Sequence, residues 1–157
     1  MIVGLENMKT LIIYYSKHHR NTQKVAEVMA DAIGADVMGY DLVDPDNLLK
    51  YDLIGFGSGI YHNKPGEELV SFINELKNVE NKKAFVFTTS GRGKESFNHL
   101  LKQLLSEKGF EIVGEFACKG FDTYGLLKIF GGINKGRPNE EDLKKAEQFA
   151  NTLKTKF

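Results

Sequence analysis

The sequence predicts a single α/β domain, with helices on both faces of a five-stranded parallel β-sheet. Short β-branched or aromatic runs alternate along the chain with longer segments whose apolar residues recur at helical spacing. Such an alternation gives parallel strands joined by right-handed crossovers. The 157 residues suit one domain, and 41% hydrophobic residues against 27% charged residues suit a globular core rather than a disordered chain.

Five runs are predicted as strands because they favour buried β-structure and are too short for helices. The chain before the first run, TLIIYY, has no comparable pattern. We therefore expect residues 1–8 to form an extension outside the fold and residues 9–157 to form the domain. The predicted strands are Thr10–Tyr15, Asp36–Tyr40, Leu53–Phe56, Ala84–Phe87 and Ile112–Ala117.

Helices are predicted where apolar residues repeat every three or four positions. The first is expected to end at Gly34, and the last is expected to begin after Asn139, a favourable N-cap residue. The four apolar stripes are Val25, Val28, Met29 and Ala32; Leu69, Phe72, Ile73 and Leu76; Phe97, Leu100, Leu101, Leu104 and Leu105; and Leu143, Ala146, Phe149, Ala150 and Leu153.

Composition excludes several classes of protein. The 21 basic and 21 acidic residues cancel, so the chain lacks the charge of a nucleic-acid-binding protein. No apolar run approaches the roughly 20 residues of a membrane span, and the N-terminus does not resemble a secretory signal. The single cysteine, Cys118, excludes an internal disulfide framework and a multi-cysteine zinc site. We therefore expect a cytoplasmic protein with neither nucleic-acid nor membrane partners.

The charges are unevenly distributed along the chain. Residues 1–80 contain 7 basic and 12 acidic residues, a net charge of −5, and residues 81–157 contain 14 and 9, a net charge of +5. If the two halves occupy opposite sides of the sheet, the molecule has a dipole that can orient a partner. The alternative is an unevenly charged, solvated surface without a function.

Three turns are candidates for ligand binding, because ligands of open α/β sheets lie beyond the carboxyl ends of the strands. The turn of residues 16–22, SKHHRNT, places small polar residues and basic residues beside a helix N-terminus, a combination that suits a phosphate. A simple helix cap is the alternative. The turn of residues 57–65 combines glycines with Tyr61, which suits a flat aromatic ligand. The turn of residues 88–93, TTSGRG, offers backbone groups to a polar ring edge.

At these turns the sequence resembles the flavodoxin family. YYSKHHRNTQKVAEVMA resembles the family's phosphate loop and first helix, usually Ser/Thr-x-Thr-Gly-Asn-Thr followed by x-x-x-Ala, although His19-Arg20 replaces the usual Thr-Gly here. FGSGIY resembles the loop that places an aromatic ring over the flavin. The resemblance extends from about Lys9 to Phe157. It implies the strand order 2-1-3-4-5, with flavin mononucleotide (FMN) at the switch point, as in flavodoxin itself.

The resemblance also implies which residues bind the cofactor. Ser16, Asn21 and Thr22 would hold the phosphate, and Tyr61 would stack on the flavin. The turn of residues 88–93 has no aromatic residue near Arg92 to cover the second face of the flavin, unless Phe97 or Tyr124 reaches it. The implied cofactor-binding residues are Ser16, His18, His19, Arg20, Asn21, Thr22, Ser58, Gly59, Ile60, Tyr61, Thr88, Thr89, Ser90, Gly91, Arg92 and Gly93.

The function implied is that of an FMN-binding electron carrier between redox partner proteins. The alternative is an NAD(P)H-dependent FMN or quinone reductase on the same fold, in which Arg92 and Lys94 admit an anionic cosubstrate. The length favours the carrier over a stand-alone oxidoreductase, and no catalytic residue or metal site is expected.

Two other nucleotide- or phosphate-handling folds are disfavoured. A phosphorylation receiver domain needs acidic residues where this chain has Tyr15-Ser16 and Gly57-Ser58. A nicotinamide-binding Rossmann domain needs G-x-G-x-x-G after its first strand, which is absent. Residues 119–138 show no clear periodicity, and are expected to cover the flavin, receive a partner or form a dimer contact. A short apolar helix on the sheet edge is the alternative.

Overall fold

A computed structural model of the chain describes residues 8–17, 19–121 and 132–156. Short 3-10 turns lie at Tyr40–Leu42, Pro45–Lys50 and Glu95–Asn98. The strands and helices of the described residues are β1 (Thr10–Tyr15), α1 (Asn21–Ile33), β2 (Asp36–Gly39), β3 (Leu53–Tyr61), β4 (Lys64–Pro65), α2 (Glu67–Glu75), β5 (Lys83–Ser90), α3 (His99–Glu107), β6 (Glu111–Lys119) and α4 (Glu140–Lys156).

Five parallel strands form the sheet in the order β2-β1-β3-β5-β6, and the short β4 pairs antiparallel with β3. The predicted fold class and the predicted order of the parallel strands are confirmed, with β4 as an additional strand. None of the described helices is long and apolar enough to cross a membrane.

The core has two layers, one on each face of the sheet, because successive side chains of a strand point to opposite faces. On β1, Leu11 and Ile13 face α2 and α3, whereas Ile12 faces α1 and α4. Met8 is half-buried and packs against the layer beneath α1. Residues 1–7 of the predicted extension lie outside the described residues.

Strand β3 is longer than the sequence predicted, because its glycines make space for aromatic rings rather than forming a turn. It continues past Phe56 to Tyr61. A Cβ on Gly55 would lie 2.3 Å from the Phe85 ring, and a Cβ on Gly57 would lie 2.1 Å from the Phe87 ring. Phenyl rings of β5 therefore fill the positions that side chains of β3 would occupy.

The chain reverses its direction in the two residues between β3 and β4. His62 and Asn63 both have positive φ, at 53° and 64°, and lie between the paired residues Tyr61 and Lys64. Two consecutive left-handed residues suit a tight β-hairpin turn. Strand β5 also exceeds its prediction, continuing past Phe87 to Ser90. The expected turns at 57–65 and 88–93 are thus partly strand.

The edge strand β6 carries a bulge between its pairings with Ala84 and Phe85. Val113 lies at this bulge, between the paired residues Ile112 and Gly114. Its carbonyl accepts a hydrogen bond from Lys156 Nζ at 2.9 Å. Farther along the strand, the Phe116 carbonyl accepts a hydrogen bond from Asn98 Nδ2 at 3.1 Å. Side chains from α4 and from the turn before α3 therefore satisfy carbonyl groups of β6.

We expect Gly57→Ala to lower the free energy of unfolding by about 2 kcal/mol, because overpacking a well-filled core typically costs about 1–3 kcal/mol. The Phe87 ring is fully buried and has no room to move away. Urea denaturation followed by circular dichroism measures the change. Gly114→Ala is the matched control, because its Cβ would lie 3.1 Å from the ends of the Leu153 and Phe149 side chains. Equal losses in the two variants would contradict the packing role of Gly57.

Candidate functional site

A cavity lies at the carboxyl ends of β1, β3, β5 and β6. Its walls are the turn after β1, the end of β3, the turn after β5 and the two residues that follow β6. This is the edge of the sheet at which parallel α/β proteins bind ligands. The lining residues are Ser16, Lys17, His19, Asn21, Thr22, Gly59, Ile60, Tyr61, Thr89, Ser90, Gly91, Gly120 and Phe121.

The structure brings ten of the sixteen predicted cofactor-binding residues together around this cavity. Arg20, Ser58, Thr88, Arg92 and Gly93 are described but do not line it, and His18 lies outside the described residues. The lining also includes residues that were not predicted to bind the cofactor. These are Lys17, Gly120 and Phe121.

Two hydrogen bonds join the end of β5 to the segments on either side of it. The hydroxyls of Thr22, in the first turn of α1, and Thr89, at the end of β5, are 2.9 Å apart and buried. The Gly120 N–H donates to the Ser90 carbonyl at 3.0 Å. The end of β5 is therefore fixed between α1 and the segment after β6.

A third hydrogen bond closes the set. Asn21 Nδ2 donates to the Phe121 carbonyl at 2.9 Å, and a Cβ on Gly120 would lie 2.5 Å from the same Asn21 nitrogen. Three contacts link α1, the end of β5 and the segment after β6 in a ring around the cavity, which we call the turn circuit. They are Thr22–Thr89, Ser90–Gly120 and Asn21–Phe121. Each of the three walls is held by the other two.

Two buried polar atoms beside the cavity have no hydrogen-bond partner among the described residues. They are Ser16 Oγ and Asn21 Oδ1. A buried polar atom without a partner costs about 1–3 kcal/mol, so such atoms mark a place where a polar ligand or water fits. Both residues line the cavity.

The hydroxyls of Ser58 and Thr88 make hydrogen bonds within the protein, on the face of the sheet that α2 and α3 cover. Ser58 Oγ donates to the Gly59 carbonyl at 2.6 Å and accepts from the Gly66 N–H at 2.9 Å. Thr88 Oγ1 donates to Asn98 Oδ1 at 2.8 Å. The two residues pair across β3 and β5 and share the face of the sheet that α2 and α3 cover. Their side chains stabilise the strand ends rather than facing the cavity.

Tyr61 extends across the end of β3 toward the turn after β1. Its hydroxyl accepts a hydrogen bond from the Lys17 N–H at 3.1 Å. A Cβ on Gly59 would lie 2.5 Å from the same hydroxyl, so a glycine is needed there. The ring makes an edge-to-face contact with Tyr15, with centroids 5.9 Å apart. Tyr61 is therefore held against one wall of the cavity.

The turn after β1 enters α1 through left-handed residues. His19 and Arg20 have φ values of 31° and 57°, and no Arg20 side-chain hydrogen bond caps the helix. The first N–H groups of an α-helix have no partner within the helix and attract anions. Arg20 Nε instead donates to Gln23 Oε1 at 3.1 Å. The start of α1 thus offers backbone donors beside Ser16.

The turn after β5 is closed by its own residues and by the returning chain. The Gly93 N–H donates to Ser90 Oγ at 2.7 Å, and Gly93 has a φ of 64°. Asn134 Nδ2 donates to the Gly91 carbonyl at 2.7 Å. Arg92 is exposed on the outside of this turn.

The aromatic wall after β6 is Phe121. Its ring centroid lies 4.2 Å from that of His19, and its N–H donates to the Arg137 carbonyl at 2.8 Å. Phe97 is half-buried but does not line the cavity, and Tyr124 lies outside the described residues. Sequence reasoning could have found Phe121 from its position, because it follows the last parallel strand at the edge where the other strands end.

Arg137 is fixed by Asp142 in the first turn of α4. The guanidinium donates to both carboxylate oxygens, including Nη2 to Oδ1 at 2.7 Å. Asn139 and Asp142 also cap each other, because Asn139 Oδ1 accepts from the Asp142 N–H and the carboxylate accepts from the Asn139 N–H. This is a reciprocal capping arrangement at the predicted start of the helix.

The thiol of Cys118, on β6, is buried. Burial raises the pKa of Cys118 to about 12, so the thiolate is negligible at neutral pH. Burial and a hydrogen bond with Glu68 raise the pKa of Tyr15 to about 12. Among the described residues, no group of three or more His, Cys, Asp or Glu side chains could hold a metal ion.

Comparison with known proteins agrees with this geometry. Residues 11–154 match the model of a family described as flavodoxin domain. An uncharacterized protein of Methanocaldococcus jannaschii is 50% identical over 148 residues, which cover 93% of this chain and 98% of that protein.

Solved structures have the same fold. A flavodoxin from the domain Archaea has a TM-score of 0.72 at 18% identity, covering 95% of this chain and 98% of its own. Oxidised Flavodoxin 2 from Bacillus cereus has a TM-score of 0.70 at 24% identity, covering 95% and 99%.

We expect Asp142→Asn to lower the free energy of unfolding by about 2 kcal/mol at pH 7. Removing one partner of a fully buried ion pair costs about 3–5 kcal/mol, and the cost is smaller here because Arg137 is partly exposed. Burial alone would raise the pKa of Asp142, but hydrogen bonds from Arg137 and Asn139 lower it below the ordinary value. The ionised carboxylate therefore stabilises the fold fully above about pH 5, and this contribution disappears as the pH falls below about 4.

Urea denaturation from pH 7 to pH 3 measures this dependence. The difference between wild type and Asp142→Asn should shrink as the pH falls. Glu141→Gln is the control, because Glu141 is exposed and its contact with Lys145 is 3.6 Å long on the helix surface. A difference that stays constant down to pH 3 would refute the stabilising role of the ionised carboxylate.

Proposed function

This chain belongs to the flavodoxin family, and we propose that it binds one FMN without a covalent bond and carries electrons between redox partner proteins in the cytoplasm. Flavin supplies the electron-transfer chemistry, and the protein supplies binding and orientation. The observation that carries the proposal is the pair of unpartnered buried atoms, Ser16 Oγ and Asn21 Oδ1, beside the start of α1.

The residues of the cavity fit the phosphate end of such a cofactor. Ser16 offers a hydroxyl that has no partner among the described residues. The first turn of α1 offers backbone N–H groups and a favourable dipole. Asn21 Oδ1 is an acceptor and therefore suits a hydroxyl of the cofactor rather than a phosphate oxygen. The site thus has donors for an anion and an acceptor for an alcohol close together.

The remaining walls fit a flat ring system. Gly59 and Gly91 present backbone without side chains. Tyr61 provides aromatic surface at the end of β3, and Phe121 provides it in the segment after β6. The turn circuit holds these walls in place. A fixed slot that combines aromatic surface with backbone polar groups is suited to orienting a ring.

The alternative is an NAD(P)H-dependent reductase on the same fold. Arg92 and Lys94, which would admit the cosubstrate, are exposed on the outside of the turn after β5. Steady oxidation of NADPH by the purified, FMN-loaded protein with a quinone as acceptor distinguishes the two functions. We expect no sustained turnover, and sustained turnover would replace the carrier with the reductase.

We expect the purified protein to take up FMN and to quench its fluorescence. Ser16→Ala should weaken binding about 10-fold, because a hydrogen bond to a charged group is worth about 1.5–3 kcal/mol. Fluorescence titration measures both dissociation constants. Ser106→Ala is the control, since Ser106 is an exposed residue of α3. Failure of the wild type to bind FMN would remove the proposed function.

A further inference from the structure

Four exposed basic residues lie together on one side of the cavity. They are Arg92, Lys94, Lys119 and Lys135, which we call the basic rim. Gly93 lies against the end of β6, because a Cβ on this residue would lie 2.9 Å from Lys119 Cγ and 3.1 Å from the Lys119 backbone nitrogen. The cations on either side of Gly93 are therefore close to Lys119.

Lys135 is brought to the same place by its neighbour Asn134. Asn134 Nδ2 donates to the Gly91 carbonyl at 2.7 Å and to the Gly120 carbonyl at 3.4 Å. Ile133, on the other side of Asn134, is 39% exposed. The basic rim thus includes an exposed apolar side chain beside its cations, and protein–protein interfaces combine apolar contacts with a polar rim in this way.

The charges of the basic rim are not neutralised within the described part of the chain. None of the ion pairs among the described residues involves these four side chains. In the stretches 91–95, 119–121 and 132–136, Glu95 is the one acidic residue, and it is exposed. Asp142, at the start of α4, is already paired with Arg137. The basic rim therefore presents an excess of positive charge.

This positive charge borders the cavity. Gly91 and Gly120, which are the chain neighbours of Arg92 and Lys119, both line the cavity. The exposed Lys17 lines it as well, and no described lining residue is acidic. A molecule that approaches the cavity from the side of β5 and β6 therefore meets positive charge.

Negative charge lies on the far side of Tyr61. Its ring contacts Tyr15 at a centroid distance of 5.9 Å, and Tyr15 contacts Tyr40 at 5.5 Å. Tyr40 lines a separate groove beside α2, so these rings lie between the groove and the cavity. The acidic residues of the groove are Asp41, Glu67, Glu68 and Glu75.

The strand order accounts for this division of charge. Residues 1–80, with a net charge of −5, contain β1, β2 and β3, and residues 81–157, with a net charge of +5, contain β5 and β6. Because the order is β2-β1-β3-β5-β6, the two halves of the chain lie at opposite ends of the sheet. The cavity therefore lies where the sign of the charge changes.

We propose that the basic rim is the docking surface for a redox partner protein that has acidic side chains around its own redox centre. Complementary charges speed the association of two proteins and fix their orientation. Contact with the basic rim brings the partner's centre to the cavity, and the acidic groove repels the same partner from the other side. The inference rests on the proposed function, because it names the class of partner that the carrier meets.

The first test titrates the isotope-labelled, FMN-loaded full chain with an acidic plant-type ferredoxin and, separately, with a basic cytochrome c. Backbone NMR signals report which residues contact each probe. We expect the ferredoxin to shift the signals of the basic rim and not those of Glu67 and Glu68. Tighter binding of the cytochrome, or shifts centred on the acidic groove, would overturn the inference.

The salt dependence of ferredoxin binding tests the role of charge. We expect the dissociation constant to rise about 10-fold between about 0.01 M and about 0.15 M ionic strength, because the Debye length falls from about 30 Å to about 8 Å. Isothermal titration calorimetry measures it. Binding that is insensitive to salt, or no binding of the ferredoxin at about 0.01 M ionic strength, would contradict a docking surface made of charges.

A pair of charge reversals locates the surface. Arg92→Glu combined with Lys94→Glu should weaken ferredoxin binding about 10-fold at low ionic strength, because both cations would then repel the probe. Lys77→Glu combined with Lys144→Glu is the matched control, since it changes the net charge equally at exposed residues that do not line the cavity. Lys77 lies between α2 and β5, and Lys144 lies on α4. Equal weakening in the two double variants would overturn the inference.

Titration with FMN separates this inference from the proposed function. A wild type that binds FMN but gives no shift at the basic rim with the ferredoxin would overturn the inference and leave the proposed function intact. Failure of the wild type to bind FMN would overturn both.

Discussion

The buried hydrogen bond between the hydroxyls of Thr22 and Thr89 joins the first turn of α1 to the end of β5, 67 residues farther along the sequence. The Gly120–Ser90 hydrogen bond continues the pairing of β5 with β6. The Asn21–Phe121 hydrogen bond then joins α1 to the segment after β6. The walls of the cavity are thus held together by hydrogen bonds between segments that are distant in the sequence.

The sequence was sufficient to predict the parallel strands and their order, because buried β-branched runs and helical stripes are strong local signals. It was not sufficient to predict where β3 and β5 end. Gly57 and Gly59 resemble turn residues, whereas their role is to leave space for Phe87 and Tyr61. In the case of Gly57, whether the glycine serves a turn or a neighbouring ring depends on Phe87, which lies 30 residues away on another strand.

The longer strands also explain why Ser58 and Thr88 do not line the cavity. Once β3 extends to Tyr61 and β5 to Ser90, Ser58 and Thr88 lie within strands, and the alternation of side chains directs both to the face that α2 and α3 cover. Their two hydroxyls make hydrogen bonds within the protein. By contrast, Ser16 lies just beyond β1, and its hydroxyl has no partner among the described residues. The direction of the side chain, rather than the residue type, therefore distinguishes Ser16 from Ser58 and Thr88.

Strand β6 forms the outer edge of the sheet, where exposed carbonyl groups would ordinarily invite a strand from another molecule. Lys156 and Asn98 already donate to two of these carbonyls, at Val113 and Phe116. A flat intermolecular ladder would have to displace both side chains and accommodate the bulge at Val113. The last turn of α4 and the turn before α3 therefore each cover a carbonyl of this edge, in contacts that are independent of any ligand.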